Sequence, residues 1–111
     1  MSRRRVVLCT VPEAEDAARI AETLVERSLA ACVNVLGGVT SVYRWQGGVE
    51  RGQERLMVIK TTAERFEALR AAIVELHPDE VPEVIVLTIE AGHTPYLEWI
   101  DASCRPPEAS G

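Results

Sequence analysis

The chain has 111 residues, a formal net charge of −5 from 12 basic and 17 acidic side chains, and a hydrophobic share of 47%. That length supports one core and not two, and that apolar content excludes a disordered chain. The acidic balance opposes any broad grip on a nucleic-acid backbone or an anionic membrane surface. Residues 1–105 are expected to form a single domain, with 106–111 a flexible tail. Arg3, Arg4 and Arg5 precede an apolar run as in an export signal, but Pro12 and a cluster of acids break that run before a cleavage site. No window approaches the roughly 20 apolar residues that span a bilayer. Cys9, Cys32 and Cys104 are odd in number and lack metal-finger spacing, so a reducing cytoplasm is the expected compartment.

Val6 to Val11 is a short, β-branched apolar run and predicts a strand buried on both faces. Thr10 and Glu13 stand at capping-box spacing with Pro12 between them, so a helix is predicted from Glu13 to Arg27, its buried stripe being Ala17, Ile20, Ala21 and Leu24. A second strand runs from about Ala31 to Trp45 with a bulge at Gly37 and Gly38. Gln46 to Gly48 is the turn, and alternation in Glu54 to Thr61 returns the chain as the other arm of a long hairpin. Thr61 and Glu64 repeat the capping spacing ahead of a second helix with Phe66, Leu69, Ile73 and Leu76 inward, which His77 and Pro78 stop. Val84 to Ile89 reads as another doubly buried strand. Thr94 caps and Pro95 opens a short third helix. The order β, α, β, β, α, β plus a helix is the ferredoxin-like α+β arrangement, an antiparallel sheet with two helices on one face.

The hairpin is too long for this frame. A helix from Glu13 to Arg27 spans about 22 Å, whereas a strand from Ala31 to Trp45 reaches roughly 50 Å. The overhang carries Val39, Val42, Tyr43, Trp45 and Val49, an aggregation hazard unless further copies of the chain cover it. Self-association is therefore expected. Tyr43 and Trp45 share a strand face, either as a packing pair between subunits or as a stacking pair for a ligand.

His77-Pro-Asp-Glu-Val-Pro-Glu83 has two readings. Its prolines make it a stiff passage from helix to strand, while His77, Asp79, Glu80 and Glu83 are donors of the kind divalent metals use. Six segments together resemble the CutA divalent-cation tolerance proteins: Leu8–Pro12, Glu26–Asn34, Ser41–Gly47, Ile59–Thr62, His77–Glu83 and Tyr96–Ile100. The resemblance implies a homotrimer, similar in build to the PII signalling proteins, whose long hairpins wrap neighbouring subunits. It also implies a role in tolerance of copper or another divalent cation, without an organic cofactor. Carried over by position, the metal ligands are Cys9 and His77. Where copper-binding relatives have two adjacent histidines this chain has Leu76 and His77, and Asp79 replaces the usual tyrosine.

Each of these residues also has a plainer role. Cys9 in an apolar run acts as a small hydrophobe, and His77 at a helix end satisfies the last carbonyls. Lys60, with Tyr43, Trp45 and Glu83, is a candidate for a cleft between subunits, or else it pairs with Glu54 or Glu83. Two functions follow: a metal-binding or metal-responsive tolerance protein, and a PII-like sensor or adaptor that takes a small ligand in such clefts. An enzyme using Cys9 as nucleophile is disfavoured, because no triad order, glycine loop or cofactor fingerprint accompanies it.

Overall fold

Val7, Cys9 and Val11 are fully buried while Leu8 and Thr10 between them are only partly covered. The first strand, β1 (Arg4–Pro12), is thus amphipathic, not buried on both faces as the apolar run suggested. The structure, a computed structural model, describes residues 3–106. After β1 come α1 (Ala17–Glu26), β2 (Cys32–Trp45), β3 (Gly48–Thr62), α2 (Ala63–Leu76), β4 (Ile85–Thr88) and α3 (Thr94–Ser103). The strands make one antiparallel sheet in the order β2-β3-β1-β4, the ferredoxin-like topology. One layer of core lies between sheet and helices: Val7, Cys9, Val11, Met57 and Ile59 meet Ile20, Leu24, Leu69 and Ile73. Apart from Pro106, the expected tail lies outside the described residues.

The helix stripes fall where their periodicity put them, but the helix starts do not. Pro12 stays in β1 opposite Glu54, and the Glu13 N–H donates to the Gln53 carbonyl, so the sheet holds residues that a capping box would need. Asp16 caps α1 instead, its Oδ1 accepting from the Arg19 N–H at 3.1 Å. At α2 the cap is Thr62, which makes no side-chain bond, and the hydroxyl of Thr61, the expected cap, donates to the Leu29 carbonyl at 2.7 Å. His93, not Thr94, caps α3.

The exit from α1 is a Schellman motif: Leu29 N–H bonds the Leu24 carbonyl, Ser28 N–H bonds the Val25 carbonyl, and Leu24 and Leu29 are both in the core. Ser28 occupies the left-handed position at φ 57. α3 packs over a second small cluster formed by Ala31, Ile100 and Cys104, and a bidentate pair from Arg4 to Asp101 at 2.9 and 2.6 Å ties it to β1.

Strands β2 and β3 are paired from Cys32–Lys60 to Trp45–Gly48, with the register broken between Leu36 and Val39 where Gly37 and Gly38 bulge out. Gln46 and Gly47, at φ 47 and 80, form a two-residue turn of the mirror-image type that suits hairpin twist. β3 therefore begins at Gly48, well before the expected Glu54. The molecule extends 49 Å along its longest axis, and its radius of gyration of 14.9 Å exceeds the roughly 13 Å of a compact chain this long. The hairpin is the cause. β4 was expected to be covered on both faces, yet Ile85 and Leu87 are about half exposed. It is an edge strand, paired with β1 alone.

Candidate functional site

Pro78 forbids His77 a helical conformation, so α2 ends there with His77 extended at φ −79 and ψ 140. Its N–H still bonds the Ile73 carbonyl at 2.8 Å, and the turn outward carries the imidazole against β1. Nε2 lies 2.7 Å from the Thr10 carbonyl oxygen, and Nδ1 lies 3.0 Å from the Asp79 backbone nitrogen. A carbonyl only accepts and a backbone amide only donates, so the ring is neutral with its proton on Nε2. The imidazole, foreseen in its plainer role as satisfying the last helix carbonyls, bonds the Thr10 carbonyl of β1 instead. The Asp79 carboxylate stands 3.9 Å from Nδ1.

Cys9 meets the same atom. Its Sγ lies 3.8 Å from the Thr10 carbonyl oxygen, so the thiol and the imidazole are no further apart than those two contacts laid end to end. Burial pushes the Cys9 thiol up to about 12, and the carboxylates of Glu83, Asp79 and Glu54 add to it. In softness the pair suits copper or zinc. It is nevertheless incomplete: among the described residues no three His, Cys, Asp or Glu side chains converge to hold a metal ion.

Beside this pair the hairpin and the 78–83 segment enclose a cleft of about 740 Å³. Tyr43, Trp45 and Glu83 line it, together with Glu50, Glu54, Asp79 and Glu80. Lys60 does not. It sits opposite Cys32 and its ammonium bonds the Asn34 side chain, not Glu54 or Glu83. The place of Glu50 and Glu54 in the cleft wall is not legible in the sequence, because a turn of Gln46 to Gly48 hides the register. With a two-residue turn, Tyr43 pairs with Glu50 and Val39 with Glu54, and all four side chains share a face. Cys32 and Cys104 remain free thiols away from the cleft, beside Asn34 and Thr61 respectively.

A family model described as CutA1 divalent ion tolerance protein matches residues 5–103. The divalent-cation tolerance protein CutA of Thermus thermophilus is 50% identical over 95 residues, covering 86% of this chain and 92% of that protein. The crystal structure of CutA from Xylella fastidiosa superposes with a TM-score of 0.90 at 38% identity, over 94% of this chain and all of that one. A structure described as the periplasmic divalent cation tolerance protein CutA of Archaeoglobus fulgidus gives 0.88 at 34% identity, over 92% of this chain and 99% of the other.

Proposed function

Because the chain belongs to the CutA1 divalent ion tolerance protein family, we propose that it takes up divalent cations or responds to them, copper foremost, through Cys9 and His77 in a homotrimer. The observation that carries this site is the Thr10 carbonyl contacted by both side chains. An arriving cation takes the place of the thiol proton, and the imidazole turns a lone pair toward it, giving up a backbone bond. Glu83, Asp79 and Glu54 oppose a bare thiolate here, and for the same reason they favour a cation bound to it. The Asp79 carboxylate, water, or a donor from a neighbouring copy completes the set. A binding role fits this thiol better than a catalytic one, since a proton held so firmly leaves a poor nucleophile.

The trimer is supported by the overhanging hairpin and by the uncovered sheet face around Ile85 and Leu87. A cytoplasmic location is supported by the three free cysteines. Among the described residues no helix is long and apolar enough to cross a membrane. Titration of the reduced protein with Cu(I) and Cu(II) tests the site: Cys9→Ser and His77→Gln should each weaken copper binding about tenfold or more. Unchanged affinity in both variants ends the assignment.

The cleft favours a second reading, a PII-like sensor or assembly adaptor. Its volume suits a small molecule, and two exposed aromatic side chains stand in its wall. Thermal-shift screening against nucleotides and metabolites tests this, because a ligand of the folded state raises the midpoint.

A further inference from the structure

We infer that Asp79 is a positioning residue for the cation site: as His77 presents a lone pair, its ring proton moves from Nε2 to Nδ1 and the Asp79 carboxylate accepts the new N–H. This rests on the reading of Cys9 and His77 as that site, and it places Asp79 behind the ring, outside the ligand set. The two ring nitrogens face different partners. Nε2 lies 2.7 Å from the Thr10 carbonyl oxygen, which the Cys9 thiol also meets at 3.8 Å, so Nε2 is the nitrogen on the thiol's side. Nδ1 faces the Asp79 amide at 3.0 Å and the Asp79 carboxylate at 3.9 Å.

Nε2 is therefore the nitrogen available to a cation shared with Cys9, yet in the metal-free protein it carries the ring proton. A ligating imidazole is neutral and has a single proton, so a bare Nε2 requires that proton on Nδ1. One proton leaves Nε2 for water and one is taken from water at Nδ1, and the charge of the ring is unchanged. Nδ1 then donates, and it faces a second donor in the Asp79 amide, so that bond is lost. An acceptor stands beside it. The Asp79 carboxylate is about half exposed, and rotation of its side chain brings it into hydrogen-bond range while water takes over the amide. A carboxylate behind a ligating imidazole holds the ring's orientation and raises the basicity of the nitrogen in front. A place in the ligand set fits Asp79 less well: its carboxylate lies on the Nδ1 side of the ring, and among the described residues it does not converge with Cys9 and His77 as a third donor.

Nitrogen NMR of the histidine rings in the full-length protein, without metal and with Cu(I) in the absence of oxygen, locates the proton directly. The His77 proton is expected on Nε2 without metal and on Nδ1 with Cu(I). Asp79→Asn keeps the backbone amide but removes the charged acceptor, so it should weaken Cu(I) binding about tenfold or more and speed exchange of the Nδ1 proton with water. Glu75→Gln deletes the same charge two residues before His77, on an exposed position of α2, and should change neither measurement. A loaded ring that keeps its proton on Nε2, unchanged affinity in Asp79→Asn, or equal weakening by Glu75→Gln overturns the inference. In each of those cases the site itself stands if Cys9→Ser and His77→Gln still weaken binding; a protein that binds no Cu(I) loses both.

Discussion

The His77 imidazole donates from Nε2 to the Thr10 carbonyl across 2.7 Å, joining the end of α2 to β1 over 67 residues of sequence. With Nδ1 accepting from Asp79, the ring also fixes the start of the segment that forms one wall of the cleft. A side chain so placed stabilises the fold with no metal present. His77→Ala should therefore lower unfolding free energy by about 2 kcal/mol in metal-free buffer, chiefly because a part-buried carbonyl loses its partner. Denaturant titration with a chelator present measures this. A variant as stable as the parent would mean that water replaces the imidazole without loss.

Cys9 gives the protein an alkaline limit. The folded-state thiol is raised from an ordinary 9.0 to about 12, mainly by burial. Below pH 9 both states hold the proton and the full stability is present. Between 9 and 12 the unfolded chain releases the proton and the folded chain does not, so stability falls as pH rises. The loss from this one group approaches on the order of 4 kcal/mol by pH 12. Cys9→Ala should flatten that part of the profile, and denaturation series at pH 8, 9 and 10, values roughly bracketing the ordinary thiol range, measure the difference between variant and parent. Equal slopes in the two proteins would place the alkaline titration elsewhere.

The sequence makes plain whatever depends on a local repeat. Ala17, Ile20, Ala21 and Leu24 all face the core because a period of 3.6 leaves one stripe to bury. Gly37 and Gly38 mark the bulge, and the hairpin overhang follows from counting residues. What the sequence hides is set by distant partners. Thr10 and Glu13 have capping spacing, but Glu54 and Gln53 hold Pro12 and Glu13 to the sheet. The apolar run of β4 reads alike whether a second helical layer covers it or nothing does in the single chain. Of the two site residues carried by resemblance, nothing local indicates that both reach the Thr10 carbonyl. The acidic wall of the cleft turns on one residue of turn length, which moves Glu50 and Glu54 into line with Tyr43.

Ser28 offers a stabilising change. It holds the left-handed position of the Schellman motif at φ 57, where its Cβ crowds the following carbonyl and glycine has no such atom. Both motif bonds are made by the backbone and survive substitution. Ser28→Gly should stabilise the protein by about 1 kcal/mol, the steric relief exceeding the added flexibility of the unfolded chain. A lower denaturation midpoint would show that the serine hydroxyl contributes more than the strain costs.

Leu87 separates the stability of one chain from that of the proposed trimer. It lies on β4 opposite Val6, is 52% exposed, and shares a sheet face with Ile85 two residues away. A lysine there can extend into solvent in an isolated protomer, so the fold itself should change by no more than about 0.5 kcal/mol. In an oligomer whose subunits bury this face the same ammonium group is desolvated in every copy, with nothing in β4 to neutralise it. Leu87→Lys should therefore yield a folded protein with normal circular dichroism whose native mass is that of one chain, while the parent should show the mass of the proposed trimer. An assembly that survives the substitution would put the contact between copies elsewhere, with the hairpin tip at Val42 and Val49 the next surface to charge.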